Sequence, residues 1–468
     1  MARTWDVVVV GAGPAGCVAA DRLASRGHRV SILDAGPRLP NGARVPEVDR
    51  RAWSYSTVGS SFDWYRVRAI GGRGLLWGGW AYRFPERVLR RGGWPYGVGA
   101  LADVYAELEA RLGVVEGTLD ERYGRVARAL GLRIAPKRAP LAGGKIWTPL
   151  MGARARHARP WTAALRVEHE KRRARFAHVL DLRAGSARRL SARAFVLAAS
   201  PIETARILLE SDVDTGGRIG RGLVDHMVAS YLLLEPRPPP SADGRGPFPG
   251  SALVESFVNT SRGTTRSYRG AFSIELTGPV SLESLGIERM VPGAEQPSWS
   301  ATLIHALGEV FPHRRRYVDL DPDQRDALGR RVPRIHLAWT AQEKKMAADM
   351  KRACVHLADA LGIQGSRLVP FVDPLQPGAG HEAGTCAMGR DESAPCDPHG
   401  RLRALDNVWI ADASATPTAG DRHPTLTVLA HAMRAADSVS VYLAGADASR
   451  PASDKRGYTS TPLATPTT

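Results

Sequence analysis

Residues 5–36 read WDVVVVGAGPAGCVAADRLASRGHRVSILDAG, and the prediction of the fold starts from this stretch. Its first six residues are mostly β-branched, as in a strand that is buried on both faces. A glycine-rich turn follows, then a segment of helical periodicity that ends near Gly27, and then a second apolar run that ends at Asp34. The stretch therefore predicts a strand–helix–strand unit of a parallel sheet.

The turn GAGPAG places Gly11, Gly13 and Gly16 in the G-x-G-x-x-G spacing. The spacing alone is weak evidence, but a strand before it and a helix after it are the context of a dinucleotide-binding loop. Gly11 allows the tight turn, Gly13 lets the backbone approach a pyrophosphate, and Gly16 lets the helix pack closely. The free N–H groups at the helix N-terminus attract the anion. Asp34 can accept hydrogen bonds from ribose hydroxyls, and its carboxylate disfavours NADP.

Length and composition predict a globular protein of more than one domain. The chain has 468 residues, with 43% hydrophobic and 24% charged residues, which suits two domains or one domain with a large insertion. No apolar run is long enough to span a bilayer, and no signal peptide is apparent, so we expect a cytoplasmic protein without a membrane partner. The scattered cysteines, Cys17, Cys354, Cys386 and Cys396, do not suggest a disulfide scaffold.

The formal net charge of +17 raises the question of a nucleic-acid partner. The positive charge is mostly arginine and is spread along the chain, with only short clusters such as residues 170–176 and 313–317. Neither cluster belongs to an aromatic-interleaved basic repeat or to a known nucleic-acid-binding module. We therefore predict no nucleic-acid partner.

The rest of the chain alternates between strand-like and helix-like segments. Residues 194–210 repeat the order strand, small-residue turn, helix, and residues 251–340 alternate as antiparallel strands do. Residues 146–180 are basic and poorly patterned. Helices are predicted at about 95–112, at 341–362 and at about 424–443, a strand at 407–414, and a proline-rich connector at 235–250.

Four motifs, taken in chain order, resemble those of the glucose–methanol–choline (GMC) flavin oxidoreductases. Residues 5–36 resemble the FAD-binding unit of that family, and residues 68–84, RAIGGRGLLWGGWAYRF, resemble its second glycine-rich segment. Residues 194–227 resemble the mid-chain signature of its flavin domain. Residues 381–433, which open with HEAGTCAMG, resemble its C-terminal catalytic block. Four motifs in the family order are far more specific than any one of them.

The resemblance implies an α/β fold, α+β overall. It consists of a Rossmann-like FAD-binding domain assembled from discontinuous segments, and a substrate domain with an antiparallel sheet and helices. The expected FAD-binding segments are 1–95, 180–234 and 371–445, the substrate-binding segments are 96–179 and 235–370, and residues 446–468 are an expected disordered tail.

FAD is the cofactor that the resemblance implies. Gly74 stands where the family usually has serine. Leu76 stands where some relatives carry a histidine that binds FAD covalently, so we predict non-covalent FAD. The expected cofactor contacts are Gly11, Gly13, Pro14, Ala15, Gly16, Asp34, Ala35, Gly71, Gly72, Gly74, Trp77, Gly78, Ala199, Asp412, Ala413, Pro424 and Thr425.

Two histidines are the expected catalytic residues by resemblance: His381, which opens the H-x-x-G-T stretch, and His423, which opens HPTLT. An imidazole of pKa about 6.5 is a usable base near neutral pH. We expect His381 to take the proton of a hydroxyl group, flavin N5 to accept the hydride, and His423 to hydrogen-bond the developing alkoxide. The resemblance leaves open which of the two histidines takes which role.

The substrate remains open. The resemblance implies a small-molecule alcohol such as a sugar, a polyol or a secondary-metabolite hydroxyl, including an aminoglycoside-type sugar. Either O2 or another acceptor would reoxidise the flavin. A flavin-containing lyase or other non-redox enzyme of the same family stays as the alternative, and the oligomeric state is not predicted. The acids Glu255, Glu275, Glu283 and Glu309 could contact a cationic substrate, although a solvated surface position is the more typical one for such residues.

Two metal-site hypotheses fail on spacing. His381, Cys386, Cys396 and His399 supply four zinc-type ligands, but not the close C-x₂₋₄-C pair of structural zinc sites, so we predict no metal. Residues 319–326, DLDPDQRD, imitate the start of a calcium loop. Gln324 and Arg330 occupy the positions that require glycine and glutamate, so this stretch is predicted to be a solvated turn between strands.

Overall fold

The computed structural model describes residues 5–40, 54–60, 62–152, 154–213, 215–241, 248, 250–258, 268–285, 299–375 and 380–448. Nearly all of the predicted tail, and residues 242–247 and 249 of the predicted connector, lie outside the described residues. Within the described residues, none of the helices combines the length and apolarity that a bilayer crossing requires.

The bounds of the elements are as follows. The strands are β1 (Trp5–Val10), β2 (Val30–Leu33), β3 (Ser56–Gly59), β4 (Val114–Glu116), β5 (Ile134–Pro136), β6 (Arg138–Ala142), β7 (Lys145–Ile146), β8 (Thr162–Glu170), β9 (Arg173–Asp181), β10 (Ser186–Leu197), β11 (Met227–Glu235), β12 (Ser251–Val258), β13 (Ala271–Ser281), β14 (Ser300–Gly308), β15 (Tyr317–Arg325), β16 (Arg331–Leu337), β17 (Arg367–Val372) and β18 (Val408–Ile410). The helices are α1 (Pro14–Ser25), α2 (Glu86–Arg91), α3 (Ala102–Leu112), α4 (Glu121–Ala129), α5 (Pro201–Leu209), α6 (Leu282–Leu285), α7 (Ala341–Leu361) and α8 (Thr425–Ala448).

The first sheet has the order β2-β1-β10-β9-β8, and β18 pairs with the other side of β10. The second half of β10 runs parallel to both β1 and β18, whereas its first half pairs antiparallel with β9. Helices α1 and α8 lie side by side on this sheet, where Arg22 Nε donates to Asp437 Oδ1 at 2.8 Å. The predicted strand–helix–strand unit and the discontinuous Rossmann-like sheet are thus confirmed.

Strands β8 and β9 lie almost wholly in residues 146–180, where the sequence shows no clear period. The alternation is faint, because the buried residues include small ones such as Ala174 and Ala177, and because the pairing register of β8 and β9 shifts between Glu168 and His169. Both strands extend the first sheet, although most of their residues were assigned to the substrate-binding segment 96–179. The domain boundaries themselves stay a prediction.

The second sheet is antiparallel, with the order β17-β11-β14-β13-β12-β5. Helix α7 covers one face, where Met350 and Leu357 pack with Phe272 and Ile274 of β13. Because side chains alternate along a strand, Ser273 and Glu275 point to the opposite face. This sheet, together with the small sheet β15-β16-β3, confirms the antiparallel strands expected in residues 251–340.

The prediction of a solvated turn at residues 319–326 was wrong. Strand β15 continues to Arg325, and the turn follows it. Asp321 and Asp326 are 6% and 7% exposed, because donors of the chain itself satisfy them. Ser56 Oγ donates to Asp321 Oδ2 at 2.7 Å, and Arg206 Nη2 of α5 donates to Asp326 Oδ2 at 2.7 Å. Asp321 therefore joins two strands of the small sheet, and Asp326 anchors this sheet to α5.

The buried pair of Arg206 and Asp326 yields a prediction on stability. Replacing Arg206 by Met leaves the Asp326 carboxylate buried without its partner, and we expect the free energy of unfolding to fall by about 3–5 kcal/mol. Urea-induced unfolding followed by circular dichroism measures this change. As a matched control, Arg334→Met breaks the half-exposed pair with Asp319 and should cost at most about 1 kcal/mol. Equal losses in the two variants would contradict the prediction.

Candidate active site

A cavity opens at the carboxyl ends of β1, β10 and β18, which meet at one edge because the strands run parallel. His381 and most of the predicted cofactor contacts lie on its wall. The contacts on the wall are Gly11, Gly13, Pro14, Ala15, Asp34, Ala35, Gly72, Gly74, Trp77, Ala199, Asp412, Ala413, Pro424 and Thr425.

Gly16, Gly71 and Gly78 lie off this wall and shape the segments behind it. A Cβ at Gly16 would lie 2.0 Å from Gly11 O, so α1 could not approach the turn with any larger residue. Gly71 donates its N–H to Ala12 O at 2.8 Å and thereby joins the two glycine-rich segments. A Cβ at Gly78 would lie 3.2 Å from the Trp80 ring.

The glycine loop has the form that a pyrophosphate requires. Gly11 has φ +100°, and a Cβ there would lie 2.3 Å from Ala198 O, so only glycine fits at this position of the fold. Gly13 is different, because an added Cβ would meet no protein atom within 4 Å. No side chain caps the N-terminus of α1, which leaves its first N–H groups directed at the cavity. The loop therefore fits the diphosphate of a dinucleotide such as FAD.

Asp34 holds the loop from the end of β2. Its Oδ2 accepts the N–H of Ala12 at 2.8 Å, and its Oδ1 accepts the N–H of Gly36 at 2.8 Å. Burial raises its pKa to about 6, while these two hydrogen bonds act in the opposite direction. Each carboxylate oxygen keeps a second lone pair, so the contact to a ribose hydroxyl stays a prediction that this geometry allows.

Asp412 ties together the turns that follow β10 and β18. Its Oδ2 accepts the N–H of Ser200 at 2.9 Å and the hydroxyl of Thr204 at 2.8 Å, and its Oδ1 accepts the N–H of Ser414 at 2.8 Å. Ser200 has φ +78°, a conformation that non-glycine residues rarely adopt. Asp412 thus holds these two turns together at the edge of the cavity. Burial raises the pKa of its carboxyl group.

Several residues of the cavity wall were missed by the sequence analysis. Arg73 Nη1 lies 2.6 Å from Glu382 Oε2, and Glu382 is 1% exposed. Arg73 stands inside the second glycine-rich segment and Glu382 directly follows His381, so proximity to a motif was the available signal. The remaining missed wall residues include Trp64, Tyr65, Arg66, Arg68, Thr162, Glu203 and Arg330.

The two histidines predicted from the motifs lie against each other. His423 Nδ1 is 3.1 Å from His381 Nε2, and the two rings are nearly perpendicular, at 89° with their centroids 4.8 Å apart. His423 precedes α8, and its position is supported by the Trp80 ring, which stacks on it at 5.9 Å. The fold therefore brings together two residues from opposite ends of the catalytic block.

Two further side chains complete this group. His226 Nδ1 lies 2.9 Å from His381 Nδ1, and Glu275 Oε2 lies 2.9 Å from His423 Nε2. His226 was not singled out in the sequence, although it is the last residue but one of the mid-chain motif. Glu275 was interpreted as a solvated acid, which was wrong, because only 3% of it is exposed. We call His226, His381, His423 and Glu275 the histidine chain.

The other three acids considered as substrate contacts differ in their exposure to solvent and in their partners. Glu309 is 1% exposed and its Oε2 accepts from Arg91 Nε at 2.5 Å, so a solvated position was wrong for this residue as well. Glu255 accepts from Arg422 Nη1 at 2.6 Å, and Glu283 is exposed. Both buried acids lie on or just after strands with two covered faces, a condition that a local sequence window does not reveal.

Asp225 fixes the backbone of His381, and burial together with neighbouring basic groups sets its protonation state. Asp225 Oδ1 accepts the N–H groups of His226 at 2.7 Å and of His381 at 3.0 Å, which fixes the two backbones together. Burial lowers the pKa of His381 well below its usual value, and the neighbouring His423 and His226 lower it further. Burial also lowers the pKa of His226 to about 3. Both rings are therefore neutral at pH 7, and a neutral imidazole can accept a proton.

The two cysteines that follow His381 in the sequence pack in the hydrophobic core. Cys386 and Cys396 are fully buried in the apolar cluster around the first sheet, and His399 is exposed. Among the described residues, no group of three or more His, Cys, Asp or Glu side chains is arranged to hold a metal ion.

Comparisons with known proteins point in one direction. The GMC oxidoreductase family model matches residues 312–432, and the model of an NAD(P)-binding Rossmann-like domain matches residues 9–54. The chain is 28% identical to the paromamine 6'-oxidase of Streptomyces fradiae, over 94% of this chain and 92% of that protein. It is 27% identical to the 6'''-hydroxyparomomycin C oxidase of Streptomyces lividus over the same shares.

Among solved structures, the pyridoxine 4-oxidase from Mesorbium loti superposes with a TM-score of 0.70 at 21% identity, covering 93% of this chain and 99% of that one. This likeness concerns the fold. The family model, the relatives along most of the chain and the fold agree with the resemblance that the four motifs carry. The chain is thus similar to the GMC oxidoreductases, whose family model matches its C-terminal part, residues 312–432.

Proposed function

We propose that the chain oxidises a hydroxyl group, CH–OH to carbonyl, on a sugar, a polyol or a secondary-metabolite alcohol, with non-covalent FAD as its cofactor. One observation carries the proposal: a single cavity runs from the glycine loop to His381, whose Nε2 faces His423 Nδ1 at 3.1 Å. The cofactor end and the acid–base end of such a reaction therefore share one cavity. Bound flavin would supply the hydride acceptor at N5.

The two imidazoles would handle the proton. His381 is neutral, and its Nε2 would accept the hydroxyl proton of the substrate as the base. His423 Nδ1 would donate to the developing alkoxide and hold the carbon in position. Glu275, at 2.9 Å from His423 Nε2, keeps the ring of His423 oriented for this contact.

The relatives support the substrate class. Two of them are named as oxidases of paromamine and of a hydroxyparomomycin, which favours sugar-type alcohols, with an aminoglycoside-type sugar as the narrower candidate. The same names favour O2 as the electron acceptor, and another acceptor remains the alternative. A flavin-containing lyase is the alternative function, and the experiments below distinguish it from an enzyme that oxidises alcohols.

Leu76 supports a non-covalent cofactor, because its side chain has no atom that could bond to a flavin. We expect acid or heat to release all of the FAD from purified protein into the supernatant. Absorbance of the supernatant near 450 nm, compared with that of the precipitate, measures the release. Yellow colour that stays with the denatured chain would contradict non-covalent binding.

The glycine loop gives a paired prediction on cofactor binding. An alanine at Gly13 meets no protein atom, so the unfolding temperature of the apoprotein should stay unchanged while the affinity for FAD falls by at least about tenfold. An alanine at Gly11 collides with Ala198 O at positive φ, so both the stability and the FAD affinity should fall. Titration of apoprotein with FAD, followed by fluorescence, measures the affinity. Wild-type affinity in Gly13→Ala would show that no pyrophosphate approaches this residue.

The histidine pair predicts a loss of turnover without a loss of flavin. His381→Ala and His423→Ala should each keep bound yellow FAD, because neither ring forms the glycine loop, but should slow the reduction of flavin by about 10²–10⁴-fold. The measurement is anaerobic bleaching by sugars, polyols and aminoglycosides such as paromamine.

His399→Ala is the matched control, since this exposed histidine lies in the same segment but outside the cavity. It should bleach at the wild-type rate. Near-normal bleaching in either of the other two variants would remove that residue from the site. Product formation from an alcohol without any bleaching would favour the lyase.

A further inference from the structure

His226 is a buried histidine whose two ring nitrogens both have identified partners. It directly precedes β11 and is 1% exposed. Its Nε2 lies 3.1 Å from Ala419 O and 3.0 Å from Gly420 O. Carbonyl oxygens only accept hydrogen bonds, so Nε2 must carry a proton. Its Nδ1 faces His381 Nδ1 at 2.9 Å.

The charge of His226 then decides the direction of that second hydrogen bond. Asp225 accepts from the backbone N–H of His226, and the ring itself contacts carbonyls and His381. A buried ring in these surroundings stays neutral, and a neutral imidazole carries one proton. Since that proton is on Nε2, the Nδ1 of His226 is an acceptor. His381 must therefore donate from its own Nδ1.

We propose that His226 is a positioning residue that fixes the tautomer of His381. With the proton of neutral His381 held on Nδ1, its Nε2 carries the lone pair and faces His423. The catalytic meaning of this tautomer depends on the proposed function, but the tautomer itself does not. His226 does not line the cavity, so it acts only through its hydrogen bond to His381.

The same proton count continues along the histidine chain. His381 Nε2 accepts, so His423 must donate from Nδ1, which leaves one proton to be shared between His423 Nε2 and Glu275 Oε2. The order of donors and acceptors gives each catalytic ring its role: His381 Nε2 carries the lone pair of an acceptor, and His423 Nδ1 carries the proton of a donor.

The backbone behind His226 is rigid enough to enforce this order. Gly420 has φ +75°, and a Cβ there would lie 2.6 Å from the Phe84 ring, so its carbonyl has little freedom. Asp225 fixes the N–H groups of His226 and His381 on a single oxygen. Neither ring can turn over without breaking a buried hydrogen bond.

The tautomer can be measured directly on the flavin-bound protein. Long-range ¹H–¹⁵N correlation spectra of protein labelled with ¹⁵N-histidine distinguish Nδ1–H from Nε2–H rings, and single histidine variants assign the signals. We expect His381 to be protonated on Nδ1 in the wild type. In His226→Leu, which offers no acceptor, we expect a mixture of tautomers. An Nε2–H ring in the wild type, or an unchanged Nδ1–H ring in His226→Leu, would overturn the proposal.

Kinetics supply the second readout. With an alcohol that bleaches the wild-type flavin, His226→Leu should lower kcat by about 100-fold, the lower limit of what a general base contributes, and should leave KM within about threefold. His226→Asn places an amide oxygen near the position of Nδ1 and should recover at least about tenfold of the loss.

His431→Leu is the matched control. His431 is also a fully buried histidine whose Nε2 donates to a carbonyl, Ile410 O at 2.9 Å, but it lies outside the histidine chain. It should keep the wild-type kcat. An equal loss in His431→Leu, or no recovery in His226→Asn, would assign the effect to packing and overturn the proposal.

The outcomes separate this inference from the proposed function. If no alcohol bleaches the wild-type flavin, the proposed function fails while the spectra still decide the tautomer. If His226→Leu does not fold, the wild-type tautomer and the kcat of His226→Asn, compared with that of the wild type, decide instead. In that case a kcat of His226→Asn more than about tenfold below the wild type contradicts the proposal.

Discussion

The parallel register of β10 between β1 and β18 is the constraint on which the rest of the structure depends. Parallel strands end at the same edge of a sheet, so the turns that follow these three strands must meet there. Gly11 can lie against Ala198 only because it has no Cβ, and Asp412 holds the turns after β10 and β18 together. The cavity is the space that these crowded turns leave open, and its position follows from the register of the strands.

The second sheet completes the site from the other side. Strand β11 begins directly after His226, and β13 carries Glu275 on the face turned away from α7, so both residues reach the histidine pair from the antiparallel part of the fold. His381 and His423 come from the C-terminal block. The acid–base chemistry that we propose therefore depends on how the two sheets pack against each other, because each buried link of the chain requires its partner.

Local motifs predicted the parts of the site that are local. The glycine loop, His381 and His423 each lie in a short motif. The fold brings the loop and His381 to one cavity and places His423 beside His381. His226 and Glu275 could not be found in this way, because their roles come from contacts between strands far apart in sequence. Asp326 shows the same limit, since an acid in a polar stretch reveals nothing of the buried Arg206 that pairs with it.

The histidine chain also meets two opposing demands on His381 if this residue is the base that we propose. Burial keeps His381 neutral and ready to accept a proton, but the same burial makes the protonated ring unfavourable once it forms. A compensating negative charge must therefore lie near His381, but not so close that it draws a proton onto the ring before the reaction. Glu275 meets this condition, because it lies beyond His423 and shares a proton with that ring. A carboxylate at Glu275, two links away, would then attract the cation that forms on His381 when this ring accepts a proton.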